Sequence, residues 1–99
     1  MGRIDVLVCY DVDTTSKAGR NRLRRVATIC VAHGQRVQFS VFECSLTRME
    51  LEAFEAKLVD IINVKEDSLR IYSLYGGRDK SLRAHGEDRY RDFDAPLVL

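Results

Sequence analysis

The feature that most constrains this fold is a strand near the amino terminus that is apolar on both faces. Alternate residues of this strand form one apolar series: Ile4, Val6, Val8, Tyr10 and Val12. Leu7 and Cys9 make part of the opposite face apolar as well, and a strand of this kind is expected to be covered on both sides. A chain of 99 residues has room for one core. Helices can cover one side, so we expect a second subunit to cover the other.

Two amphipathic helices are predicted after this strand. The first spans about residues 19–32, and its apolar stripe repeats every three or four residues: Leu23, Val26, Ala27, Cys30 and Val31. Gly34 follows that helix and is expected in the left-handed cap conformation. The second helix begins with a capping box made by Thr47 and Glu50. Its predicted buried residues are Leu51, Phe54, Leu58, Ile61 and Ile62.

Strands alternate with these helices. Residues 35–44 form one strand, or two that meet at a bend near Gln38, and residues 67–75 form another. The order β-α-β-(β)-α-β predicts an α+β, ferredoxin-like βαββαβ fold, an antiparallel sheet with two helices on one face. Residues 1–77 would form this domain. Residues 78–99 are predicted to be a charged C-terminal tail, loop-like to residue 94, whose last apolar residues form a short strand that joins a sheet edge.

The bulk composition constrains function only weakly. The net charge of +1 does not by itself indicate a polyanionic partner, so the distribution of charge matters more. The three cysteines lack zinc-site spacing and are expected to be buried, reduced thiols. No apolar run reaches the roughly 20 residues that a membrane-spanning helix needs, and we expect a cytoplasmic protein without a membrane partner.

Asp11 is the candidate metal ligand. It ends the first strand on the face of Leu7 and Cys9, where a carboxylate is costly unless it is paired or binds a metal. In a two-fold dimer, Asp11 from each subunit could face its mate and share a magnesium ion with phosphate oxygens. Such a site can activate water for phosphodiester hydrolysis. The alternative is that Asp11 only caps the strand end or forms a turn. Asp13 shares the parity of Asp11 and is the candidate for a second ligand, but aspartate is common at the start of a turn, and we expect a turn there.

A basic stretch follows this strand end. Five cations and no acid lie between residues 17 and 25, and they are Lys17, Arg20, Arg22, Arg24 and Arg25. Because the planar guanidinium bonds two phosphate oxygens at once, this cluster is a candidate phosphate site. A solvated helix face is the alternative. Phe42, in the next strand, is more typical of a core or interface residue than of a base-stacking platform.

Several segments together resemble the CRISPR-associated protein 2 family. They are Val8-Cys-Tyr-Asp-Val12, Gly19-Arg-Asn-Arg-Leu-Arg24, Gly34-Gln-Arg-Val-Gln-Phe-Ser-Val-Phe-Glu-Cys44 and Glu66-Asp-Ser-Leu-Arg-Ile-Tyr72. Their order and spacing fit across about residues 4–75. The resemblance implies a ferredoxin-like homodimer with the sheets of its subunits facing each other. It also implies a role in CRISPR adaptation, in which the dimer bridges integrase subunits and supports the duplex that becomes a new spacer.

The resemblance also implies specific residue roles. The family's metal-binding and catalytic aspartate falls on Asp11, with Mg²⁺ or another divalent cation. Its nucleic-acid-binding arginines fall on Arg20 and Arg22, to which the basic cluster adds Arg24. The family's strand serine and phenylalanine fall on Ser40 and Phe42, which we also expect to bind nucleic acid. The family's C-terminal segment often adds a strand to the partner's sheet, a role that would fall on residues 96–99.

Three functions stay open at this stage. The chain is a nucleic-acid-binding scaffold with a latent or real endonuclease site, a toxin-type endoribonuclease like the virulence-associated protein D family, or a non-catalytic ferredoxin-like oligomerisation module. The sequence does not decide between RNA and duplex DNA as the preferred nucleic acid.

Overall fold

A computed structural model describes residues 2–74 and 82–86. Five strands and two helices follow one another in these ranges: β1 (Ile4–Asp11), α1 (Lys17–His33), β2 (Gly34–Gln38), β3 (Val41–Leu46), α2 (Arg48–Ile61), β4 (Ser68–Ser73) and β5 (Leu82–Gly86). The strands form one sheet in the order β2-β3-β1-β4-β5, and every neighbouring pair is antiparallel. The predicted α+β, ferredoxin-like class is confirmed.

The strand β1 occupies the middle of the sheet, as its apolar faces predicted. It pairs with β3 on one side and with β4 on the other. The 35–44 region consists of two strands rather than one, because the chain turns at Phe39 and Ser40. The bend therefore lies immediately after Gln38, where the second alternative placed it.

Both helices pack on one face of the sheet and enclose the core. From β1 this core takes Val6, Val8, Tyr10 and Val12. All five residues predicted to be buried by the second helical segment are buried. The thiol prediction is also confirmed, because the three cysteines are free and buried. In α1, Val26 and Cys30 are fully buried, but Val31 is 59% exposed, so the predicted stripe was one residue too wide.

Gly34 corrects a second expectation. Its φ of −157° is extended rather than left-handed, because the chain passes directly from α1 into β2. A Cβ at this position would collide with the Cys44 Sγ atom and the Glu43 carbonyl oxygen. The glycine is therefore required for the close approach of β2 to β3, not for a positive φ.

The fifth strand differs from the loop predicted between residues 78 and 94. All of β5 pairs with β4, from Gly86 opposite Ser68 to Leu82 opposite Tyr72. The predicted C-terminal strand, in residues 96–99, lies outside the described residues, so its pairing with a partner's sheet stays a prediction. Neither helix in the described ranges is long and apolar enough to cross a membrane.

Candidate metal and nucleic-acid site

Asp11 lies at the end of the central strand β1, beside the start of β4. Its Cα partner across the β1–β4 ladder is Ser68. Directly opposed residues of antiparallel strands share a face of the sheet, and the core residues of β1 occupy the other face. Asp11 therefore lies on the face without helices, as its parity predicted. Asp11 is half-buried.

Three residues form a row across the sheet at this level. The register places Ser68 between Asp11 on β1 and Gly86 on β5. Ser68 is only 2% exposed, and its hydroxyl has no hydrogen-bond partner among the residues that the structure describes. The row thus combines a half-buried carboxylate with a buried, unpaired hydroxyl.

A buried cation occupies the neighbouring row. Arg70 is opposite Cys9 on the same face and is 1% exposed. Its Nη1 atom lies 3.4 Å from the Tyr72 hydroxyl oxygen, to which it donates. Burial raises the pKa of the Cys9 thiol to about 11, although the charge of Arg70 acts in the opposite direction. The thiol is therefore protonated at neutral pH and is a poor nucleophile.

The loop between β1 and α1 is held tightly. The Asp13 carboxylate accepts hydrogen bonds from the Thr15 N–H at 2.9 Å and the Thr15 hydroxyl at 2.7 Å, as in the turn that was expected there. The Ser16 hydroxyl caps α1 by accepting from the Gly19 N–H at 2.9 Å. A Cβ on Gly19 would overlap the Asp13 carbonyl oxygen. Only glycine allows the first turn of the helix to approach the loop this closely.

Asp67 ties this loop to the rest of the domain. It is fully buried. Its Oδ1 atom accepts from the Asp13 N–H and its Oδ2 atom from the Asn63 N–H, both at 2.9 Å. The Arg22 Nε atom donates to Oδ2 at 2.8 Å. Burial alone would raise the pKa of Asp67, but these hydrogen bonds and the Arg22 charge together hold it below its usual value. We call Asp67 with its three donors the Asp67 cluster.

Arg22 differs from the other cations of the basic stretch. Its side chain is 14% exposed, and it also contacts the Glu66 carboxylate at 3.0 Å. Arg20, Arg24 and Arg25 are exposed. The first turn of α1 contains no acid, so the positive end of the helix dipole adds to the charge of Arg20. The structure thus separates one structural arginine from three arginines that can reach a phosphate.

The turn between β2 and β3 lies beside the end of β1. The Tyr10 N–H donates to the Ser40 carbonyl oxygen at 3.1 Å, which places Ser40 opposite Tyr10, the residue before Asp11. Phe42 is fully buried and stacks on the Tyr10 ring with a centroid separation of 6.2 Å. Its burial agrees with a core role and leaves no ring face exposed. Phe39, at the tip of the turn, is 86% exposed.

An exposed arginine near this turn was not singled out from the sequence. The Arg36 Cζ atom lies 5.0 Å from the centroid of the Phe42 ring, within cation–π range. Arg36 is exposed, so its guanidinium adds positive charge to the surface above the Phe42 ring. The alternation of β2 alone does not show that this arginine packs on an aromatic ring of β3.

One chain supplies an incomplete metal site. Within residues 2–74 and 82–86, no three His, Cys, Asp or Glu side chains cluster closely enough to hold a metal ion. The oxygens of Asp13 and Asp67 already accept hydrogen bonds from the loop. Asp11 fits a magnesium ion that takes one or two carboxylates and fills its other positions with water and phosphate oxygens.

Sequence reasoning overlooked three further residues near Asp11, namely Asp67, Ser68 and Arg70. A signal for them exists, because polar residues at the start of an otherwise apolar strand are unusual unless they are paired or functional. That signal does not say which of the three faces the core, the loop or Asp11. The β1–β4 register decides it.

Comparison with known proteins gives a consistent match. The family model described as CRISPR associated protein Cas2 matches residues 4–81. The CRISPR-associated endoribonuclease Cas2 1 of Moorella thermoacetica is 48% identical over 95% of this chain and 98% of its own. The CRISPR-associated endonuclease Cas2 of Halalkalibacterium halodurans is 41% identical over the same shares. The crystal structure of Streptococcus pyogenes Cas2 at pH 6.5 superposes with a TM-score of 0.66 and 54% identity, covering 75% of this chain and 88% of that one.

Proposed function

Because this chain belongs to the CRISPR associated protein Cas2 family, we propose that it is the small subunit of a CRISPR adaptation complex. As a homodimer, it binds the nucleic-acid backbone and bridges integrase subunits. It also cleaves phosphodiester bonds with a divalent cation held by Asp11. Family membership favours this function over a toxin-type endoribonuclease and over a non-catalytic oligomerisation module.

One observation carries the proposal: the Asp11 carboxylate and the exposed Arg20 lie at the same end of the sheet, where β1 leads into α1. Asp11 ends β1, and α1 begins six residues later with Arg20 and Arg24 on its exposed side. A phosphodiester bound by these guanidinium groups would lie near the Asp11 carboxylate. The arginines contact phosphates rather than bases in this arrangement, so we expect low sequence specificity.

The catalytic proposal requires the homodimer. Each chain contributes one Asp11 carboxylate, and a two-fold axis through this face would bring two of them together. When bound, the divalent cation would supply a positive charge that stabilises the phosphodiester's developing negative charge and makes water more acidic. Asp11 would hold the cation, and Arg20 and Arg24 would hold the phosphates on either side.

The β2–β3 turn supplies an aromatic contact for an unpaired base. Phe39 is an exposed aromatic residue at the tip of this turn, and Arg36 lies in the preceding strand. An exposed ring next to a cation is the usual pairing of groups in sites for single-stranded nucleic acid. In this proposal Phe39, rather than the buried Phe42, stacks on the base.

The decisive experiment measures cleavage and binding of an RNA and of a DNA duplex, with Mg²⁺ and with EDTA. Asp11→Asn tests the carboxylate, and Asp5→Asn is its control. Asp5 lies on the same strand and the same face, but at the opposite end of β1. Arg20→Ala combined with Arg24→Ala tests the phosphate contacts. Arg48→Ala is the control for lost charge, because Arg48 is exposed at the start of α2, next to the other end of the sheet.

We expect Asp11→Asn to abolish Mg²⁺-dependent cleavage while binding persists, and Asp5→Asn to cut normally. The double arginine variant should lose salt-sensitive binding, and Arg48→Ala should keep it. Cleavage that survives Asp11→Asn would overturn the nuclease assignment. Binding that is unchanged in the arginine variant would overturn the assignment of the nucleic-acid surface.

A further inference from the structure

The Ser68 hydroxyl is a buried polar group whose role the described part of the fold does not explain. Of its residue only 2% is exposed, and no hydrogen-bond partner for Oγ occurs in the described ranges. Buried hydroxyl groups are normally paired, because a hydroxyl removed from water without a partner is destabilising. An alanine or valine would fit a buried strand position without this cost. The serine therefore calls for a role other than packing.

Its neighbours on the sheet indicate what that role is. Ser68 lies directly opposite Asp11 on β1, and on its other side it faces Gly86, which has no side chain. Opposed residues in an antiparallel pair have Cβ atoms about 4.5–5.5 Å apart. A serine hydroxyl and an aspartate carboxylate at that separation can form a hydrogen bond by rotation of their side chains alone.

We infer that Ser68 is a positioning residue for Asp11: when a divalent cation is bound, the Ser68 hydroxyl turns to donate to the Asp11 carboxylate and fixes the orientation in which that carboxylate holds the cation. This inference rests on the proposed function, in which Asp11 holds the metal. Hydrogen bonds of this kind fix the direction of a ligand's lone pairs and prevent it from rotating away. Ser68 itself is too deeply buried to contact the nucleic acid.

The test compares Ser68→Ala, Ser68→Thr and Ser73→Ala in the full-length chain. Ser73→Ala is the matched control, because Ser73 lies on the same strand but is paired with the core residue Val6 on the helix-covered face. Two quantities are measured for each protein. The first is the midpoint of thermal unfolding without metal. The second is the Kd for Mn²⁺, which is determined from the electron paramagnetic resonance signal of the free ion.

We expect Ser68→Ala to have an unchanged or higher midpoint, because it removes an unpaired buried hydroxyl, and to bind Mn²⁺ about tenfold more weakly. Ser68→Thr keeps the hydroxyl and should restore most of the affinity, while Ser73→Ala should bind like the wild type. A wild-type Kd in Ser68→Ala would overturn the inference. So would a lowered midpoint with an unchanged Kd, since that result would assign the hydroxyl a purely structural role.

Asp11→Asn separates this inference from the function on which it rests. If Asp11→Asn abolishes Mn²⁺ binding and Ser68→Ala does not weaken it, the metal site stands and only the role of Ser68 fails. If Asp11→Asn binds Mn²⁺ as well as the wild type, the proposed metal site itself fails.

Discussion

Arg20 and Arg22 are two residues apart on the same helix, yet their surroundings are opposite. Arg20 is exposed beside the β1–α1 loop, and its only described side-chain hydrogen bond is to the Thr14 carbonyl oxygen at 3.3 Å. Arg22 points to the start of β4 and joins the buried Asp67 cluster. The difference shows that residue type and position on a helix do not decide function here. What decides it is whether another element brings a buried carboxylate within reach.

The comparison predicts a large loss of stability when the buried partner is removed. Asp67→Ala leaves the Arg22 Nε–H and two backbone N–H groups without their acceptor, so we expect a loss of about 3–5 kcal/mol in the free energy of unfolding. Urea titration measures it. Asp60→Ala removes an exposed aspartate from α2 and should change stability by less than about 0.5 kcal/mol. Similar losses in the two variants would show that the Asp67 cluster is not a special determinant of stability.

The pH dependence of stability sharpens the same point. The folded protein holds the pKa of Asp67 below its ordinary value. The stability from this carboxylate is therefore fully present above its unfolded pKa, about 3.9, and is lost as the pH falls through the lower folded value. We expect the stability difference between wild type and Asp67→Asn to be large at neutral pH and to shrink as the pH falls below the unfolded pKa. A difference that stays constant on acidification would contradict the lowered pKa.

Substitution of the arginines should separate stability from binding. Arg22→Ala should lower the urea midpoint, because it opens the Asp67 cluster. Arg20→Ala with Arg24→Ala should leave the midpoint unchanged, but reduce the salt slope of duplex binding by about 2, or one unit for each phosphate contact. The slope comes from affinities measured between low and moderate salt. If Arg22→Ala reduced the slope without lowering stability, Arg22 would be a phosphate ligand, as the sequence resemblance implied.

The smallest expected effect concerns Phe39, which is exposed at the β2–β3 turn, whereas the nearby Phe42 is buried. The chain has no tryptophan, so Phe39→Trp creates a single fluorescent reporter at the tip of the turn. We expect its fluorescence to be quenched by a single-stranded oligonucleotide, and Phe39→Ala to weaken binding by about fivefold, or about 1 kcal/mol. Met49→Trp, at an 80% exposed site on α2, should not be quenched. Equal quenching at both sites would indicate non-specific contact.

Much of the fold follows from periodicity along the chain. The two-faced β1, the capping box of α2 and the buried positions of α2 are all set by local spacing, and the structure confirms them. The errors have local causes too. Val31 lies at the edge of the helix stripe, where burial depends on the exact direction of packing. The strand at residues 82–86 has a charged, weakly apolar sequence, and it forms by pairing with the free edge of β4.

The candidate site could be predicted only in part. Asp11 was assigned to the correct face because side chains alternate along a strand with a period of two, whatever surrounds the strand. Ser40 lies opposite Tyr10, the residue before Asp11, and Phe42 is in the core. Arg36 and Phe39 were not singled out, because sequence alternation does not show which side chains of a hairpin tip reach solvent.

The sequence by itself therefore determined the order of the elements, the centre of the sheet and the face on which Asp11 lies. Each of these depends on interactions between residues near one another in the chain. Only the tertiary structure decided that Arg22 serves Asp67, 45 residues away, and that Ser68 lies opposite Asp11, 57 positions earlier in the chain. The physical reason is that strand register and helix docking result from packing the whole core at once. Local patterns do not specify which distant polar groups that packing brings together.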